Sequence, residues 1–155
     1  MNLPVQLHAT LEKLFERHPL DKAMCNLHGS EPVLTEEIRA ILHTGGIAAD
    51  STLAAGLWLY VDDLERCHEI CQDLPDSLGA CWHGIMHRRE GDYSNSHYWM
   101  NRAERNPLPE KLSGKALHDL VDSVAQVRGV NTAALVKQQR DEWLTLFEYY
   151  ASQPG

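Results

Sequence analysis

An internal period constrains this chain more than any other feature. Overlaying residues 51–72 on 78–103 at an offset of 29 puts Ala55 on Gly84 and Trp58 on His87. The same offset puts Asp62-Asp63-Leu64 on Gly91-Asp92-Tyr93, Cys67 on Ser96 and Cys71 on Met100. Small residues recur where helices must approach closely, and an Asp/Gly turn recurs between them. A repeat of this length marks stacked helical hairpins, each burying its apolar face on the next.

The rest of the chain fits that frame. Helical periodicity dominates and no stretch alternates as a strand does. A helix opening at Pro4 carries Leu7, Leu11, Leu14 and Phe15 inward and stops at His18-Pro19. Asp21 to Pro32 reads as loop. Thr35 is expected to cap a short helix with Ile38, Ile41 and Leu42 inward, ended by Gly45-Gly46. Helices are expected from Asp50-Ser51 to Tyr60, from Asp62-Asp63 to Gln72, over 78–89, and from Asp92 to Ala103. Asn106-Pro107 closes that last one, and two more follow, Ser113–Val127 and Thr132–Ala151. The expected fold is one all-α domain over residues 1–155, a helical bundle or short solenoid of about seven helices. Two stacked hairpins form its centre, and the terminal helices pack as caps on its two ends.

The second hairpin resembles a tetratricopeptide repeat. That family's pattern is small residue, Gly-Asp-Tyr turn, small residue, aromatic, Ala and Pro, and Gly84, Gly91-Asp92-Tyr93, Ser96, Met100, Ala103 and Pro107 stand at those positions. The unit departs from the pattern in being short, in its early Pro, and in holding His83 and His87 at normally apolar positions. The block His-Arg-Arg-Glu-Gly-Asp-Tyr-Ser-Asn-Ser-His-Tyr-Trp also resembles a group of small bacterial proteins, a likeness that brings no activity with it. The tetratricopeptide resemblance implies a scaffold that binds a protein or peptide partner.

Composition narrows the class. Net charge is −8, which disfavours wholesale binding of nucleic acid or an anionic membrane. An apolar fraction of 43% is ordinary for a soluble globule, and no apolar run approaches the roughly 18 residues that span a bilayer. The opening Met-Asn-Leu-Pro-Val-Gln-Leu-His lacks the basic patch and apolar core of a signal peptide, so a cytoplasmic protein is expected. Cys25, Cys67, Cys71 and Cys81 then suggest no disulfide framework, and the i, i+4 pair Cys67/Cys71 reads as small buried residues.

Chemistry concentrates in residues 79–107, which hold His83, His87, His97 and four arginines. At about 100° per residue, Leu78, Trp82, Ile85 and Met86 form one stripe of the helix over 78–89. His83, His87 and Glu90 form a second stripe, with Asp62, Asp63 and His68 in the preceding unit as partners. Three readings follow. One is a satisfied polar network, with Glu90 turned back on His87 or an arginine and Asp92 capping the next helix through Ser94 or Asn95. A second is a groove in which Arg88 or Arg89, with Tyr93, Asn95 and Trp99, receives a peptide or small anion. The third is a divalent metal ion on His83, His87 and Glu90; the other two need no cofactor. No HExxH, GxSxG, GxxxxGK[ST] or GxGxxG motif is present, so no catalytic residue is assigned. In the last helix Trp143, Leu146, Phe147 and Tyr150 read as core, and Leu144 and Tyr149, off that stripe, suggest a homodimer surface.

Overall fold

The computed structural model describes residues 1–29 and 31–153, and those residues form no strand. Among the described residues there are eight α-helices, one at each helical segment read from the sequence, where about seven were expected. They are α1 Val5–Arg17, α2 Thr35–Thr44, α3 Thr52–Tyr60, α4 Leu64–Cys71, α5 Asp76–Arg89, α6 Tyr93–Ala103, α7 Gly114–Gln126 and α8 Ala133–Ser152. A single 3₁₀ turn, Leu20–Lys22, follows α1. None of these helices is long and apolar enough to cross a membrane.

The caps explain most boundaries. Side-chain oxygens of Ser51, Asp63, Asp92, Ser113 and Thr132 each accept from the backbone N–H three residues on, satisfying an otherwise orphaned donor. Thr35 does not cap α2. It lies inside the helix, and Leu34 holds the cap position in a left-handed conformation (φ 53°) without a side-chain bond. The segment is pinned there by Val33, whose N–H donates to Val61 O at 3.0 Å.

The offset of 29 survives at atomic detail. Asp62 (φ 65°) and Gly91 (φ 85°) make the same left-handed reversal. Asp63 (φ −93°, ψ 81°) and Asp92 (φ −95°, ψ 79°) follow with nearly identical backbones. Asp63 N–H donates to Trp58 O at 2.8 Å, and Asp92 N–H to His87 O at 2.9 Å. Cys67 and Ser96 are both wholly buried, and Ser96 Oγ donates to Gly84 O at 2.6 Å. A Cβ on Gly84 would lie 2.7 Å from Met100 Sδ, so a larger residue there would make the Met100 side chain shift where α5 and α6 approach.

Helix α5 is the hub. It packs on α3, α4 and α6, and every residue from Gly79 to Arg89 is buried. On one side Trp82 meets Trp143 of α8, with ring centroids 6.4 Å apart. Trp143 Nε1 donates to Gly56 O at 2.8 Å, which ties α8 to α3. The off-stripe residues of α8 are used within the chain. Leu144 packs against the core, and Tyr149 Oη donates to Pro107 O at 3.4 Å.

Enclosure of α5 on all sides decides the fate of its charges. Arg88 and Arg89 are fully buried. Arg88 Nη1 grips both oxygens of Glu142 at 2.9 and 3.1 Å, and Nη2 donates to Gln139 Oε1 at 3.2 Å. Arg89 pairs with Asp62 at 2.5 Å and donates to Leu59 O at 3.0 Å and Asn26 O at 3.4 Å. These pairs make the burial tolerable, since an unpaired charge inside costs several kcal/mol.

Candidate metal centre

On the face of α5 away from Trp143, three imidazoles meet. His83 and His87 lie one turn apart on α5 and are 3% and 7% exposed, and half-buried His68 comes from α4. One nitrogen from each ring lies within 4.8 Å of the other two. His83 and His87 stack at 5.0 Å between centroids and 19° between planes. His68 stands edge-on to both, at 4.9 Å from His83 and 5.4 Å from His87. From α6, Trp99 lies flat on His83 at 3.8 Å and 11°.

This packing fixes the charge state. Burial first, then the neighbouring His87 and His68, push the His83 imidazole down to about 3, while Asp76 pulls weakly the other way. His83 is therefore a neutral imidazole, and its Nδ1 is buried without a hydrogen-bond partner. A polar atom left so typically costs about 1–3 kcal/mol.

Of the predicted ligands, His83 and His87 converge as expected, but Glu90 is not the third. Its exposed carboxylate turns back so that Oε1 sits 2.5 Å from His87 Nδ1. His68 takes the third place. Whether His68 or Glu90 meets the pair depends on how α4 packs on α5, which helical periodicity within α5 cannot report. Glu90 belongs instead to a second convergent group with His87 and Asp92. Asp92 is engaged as the cap of α6, accepting from Asn95 N–H at 3.2 Å.

The two arginines anticipated at a groove are buried instead. Arg88 and Arg89 turn inward, because α5 has no solvent-facing side at its C-terminal end. Tyr93 is half-buried, its hydroxyl bonded to His28 Nε2. Asn95 is half-buried in the first turn of α6, and Asp63 is spent on its own cap and on Arg66 Nη1 at 2.6 Å. Trp99 is likewise half-buried, beside half-exposed Tyr98, with the Arg102 guanidinium 5.5 Å from each ring.

A second histidine pair escaped the sequence reading. His97 Nδ1 lies 2.6 Å from His118 Nδ1 across the α6–α7 interface, with Asp122 Oδ1 2.8 Å from His97 Nε2. The sequence did hold a signal for it. His97 is the repeat equivalent of His68, each standing five residues after its capping aspartate. Comparison with protein-family models, with curated proteins and with solved structures finds no match for this chain.

Proposed function

We propose that this protein binds a divalent transition-metal ion on His68, His83 and His87. The observation that carries the reading is the convergence of three imidazoles from two helices, one with a buried nitrogen lacking any partner. Nitrogen-only donor sets favour zinc, copper, nickel and cobalt over magnesium or calcium, which seek oxygen. Metal–nitrogen bonds of about 2.1 Å in a tetrahedron require nitrogens about 3.4 Å apart, and here they lie within 4.8 Å of one another. The outer contact from Glu90 to His87 Nδ1 matches the carboxylate–histidine arrangement that orients metal-bound imidazoles.

The test is metal analysis of protein purified without an affinity tag, followed by titration of metal-free protein with zinc and cobalt. One equivalent bound by the wild type, and none by His68→Ala or His83→Ala, is the expected result. A wild type that neither retains nor takes up metal would falsify the reading.

The half-exposed cluster of Tyr98, Trp99 and Arg102 supports a second reading, a protein or peptide partner docking on the hairpin stack. Loss of a recovered partner in Tyr98→Ala would favour it, and equal recovery would set it aside.

A further inference from the structure

We infer that the histidine centre leaves one coordination position of its ion open, and that this position takes a small anionic donor from solution. The inference rests on the metal reading above and extends it by accounting for Glu90, Asp92 and Asp76 beside the rings.

Zinc-like ions seek at least four ligands. Among the described residues no carboxylate or thiolate joins the mutual convergence of His68, His83 and His87. The three acids that approach the rings are each committed elsewhere. Glu90 is held on His87 Nδ1 at 2.5 Å. Asp92 caps α6 through Asn95 N–H. Asp76, whose charge is felt at His83, is bound by the guanidinium of Arg102 through Nε at 2.7 Å and through Nη2. Freeing any of them breaks a cap or an ion pair. The cysteines of α4 do not help, since Cys67 and Cys71 face each other at 3.8 Å in the core.

Charge makes an anion the natural fourth ligand. Three ligating imidazoles are neutral, so the ion keeps both positive charges in a half-buried site walled by Trp99. Hydroxide, a carboxylate or a pseudohalide supplies both the missing bond and part of the missing charge. Half-buried His68 marks the side of the centre that solvent reaches.

Cobalt(II) makes this readable, because its visible spectrum reports coordination. Cobalt-loaded wild type is titrated with sodium azide, and the cobalt spectrum of Asp92→Asn, which keeps a capping side chain, is recorded without azide. The expected results are a saturable azide-dependent change in the wild type and an azide-free spectrum in Asp92→Asn that matches the wild type's. A wild-type spectrum that ignores azide overturns the inference while leaving the metal reading intact. An altered azide-free spectrum in Asp92→Asn would show that this carboxylate fills the fourth position, and overturns it too. A wild type that binds no cobalt removes both.

Discussion

His97 stands on α6 where His68 stands on α4, and each meets the histidine of the next helix in the stack. His68 faces His83 and His87 on α5, and His97 faces His118 on α7. The repeat thus carries its histidine along with its turn, and both inter-hairpin joints are lined by imidazole. Only the first joint gathers three rings.

Metal binding at that joint should stabilise the fold, because the ion ties α4 to α5 in the native state alone. At a free zinc concentration a hundred times the dissociation constant the gain is about 2.7 kcal/mol. Thermal unfolding with and without zinc should show it in the wild type, and His68→Ala should show no shift. A matching shift in His68→Ala would place the ion elsewhere.

The Arg88–Glu142 pair should be hard to break and easy to replace. Arg88→Ala leaves a carboxylate buried without its cation, and burial already holds the Glu142 carboxyl above its usual range. A loss of about 3–5 kcal/mol is expected. Arg88→Met combined with Glu142→Leu should recover most of it in urea denaturation. A double variant as unstable as the single one would contradict this account.

The two repeat turns should respond alike, up to one difference. Asp92→Ala removes a cap worth roughly 1 kcal/mol and should change metal affinity little. Asp63→Ala removes the equivalent cap and also the 2.6 Å bond to Arg66 from a side chain that is 2% exposed. Chemical denaturation should therefore rank Asp63→Ala as the less stable variant.

Thiol chemistry should single out Cys25. It alone of the four cysteines is exposed, while Cys67, Cys71 and Cys81 are buried. Burial pushes the Cys81 thiol up to about 12, so raising the solution to about pH 9 should not expose it to a disulfide reagent. One thiol should react in the native state and all four after unfolding; two fast native thiols would show the core to be open.

Much of this was legible in the sequence, and the reasons are specific. Ser51, Asp63, Asp92, Ser113 and Thr132 announce their helices because a cap is a local hydrogen bond. The same locality shows His83 and His87 on one face, with Glu90 turned back on His87. What stays hidden depends on neighbours distant in sequence. Arg88 and Arg89 read as surface charges until α8 is seen to bring Gln139 and Glu142 against α5. Those two polar residues in the otherwise apolar stripe of α8 are the signal that a buried cation awaits them. Stacking of the two units points to His68 as a neighbour of His83 and His87, but that its ring joins theirs in place of Glu90 depends on how α4 packs on α5. Leu34 in a left-handed cap position, with no glycine to mark it, leaves no hint at all.

The segment between α1 and α2 carries a consequence for the order in which the molecule assembles. Its backbone is held by the far end of the chain: Arg140 Nε donates to Ala23 O at 2.8 Å, Gln139 Nε2 to Met24 O at 3.0 Å, and Asn131 Oδ1 accepts from Leu27 N–H at 2.7 Å. Loops of more than a hundred residues must close before these bonds form, and such closures come late and slowly. The three histidines span only residues 68 to 87, a short loop that closes readily. The ion site is therefore expected to be complete while the two ends of the chain are still free, so metal can act as an early clasp on the central hairpins. Pulsed hydrogen exchange during refolding reads this directly, as protection in α4 and α5 that precedes protection of the Leu27 amide.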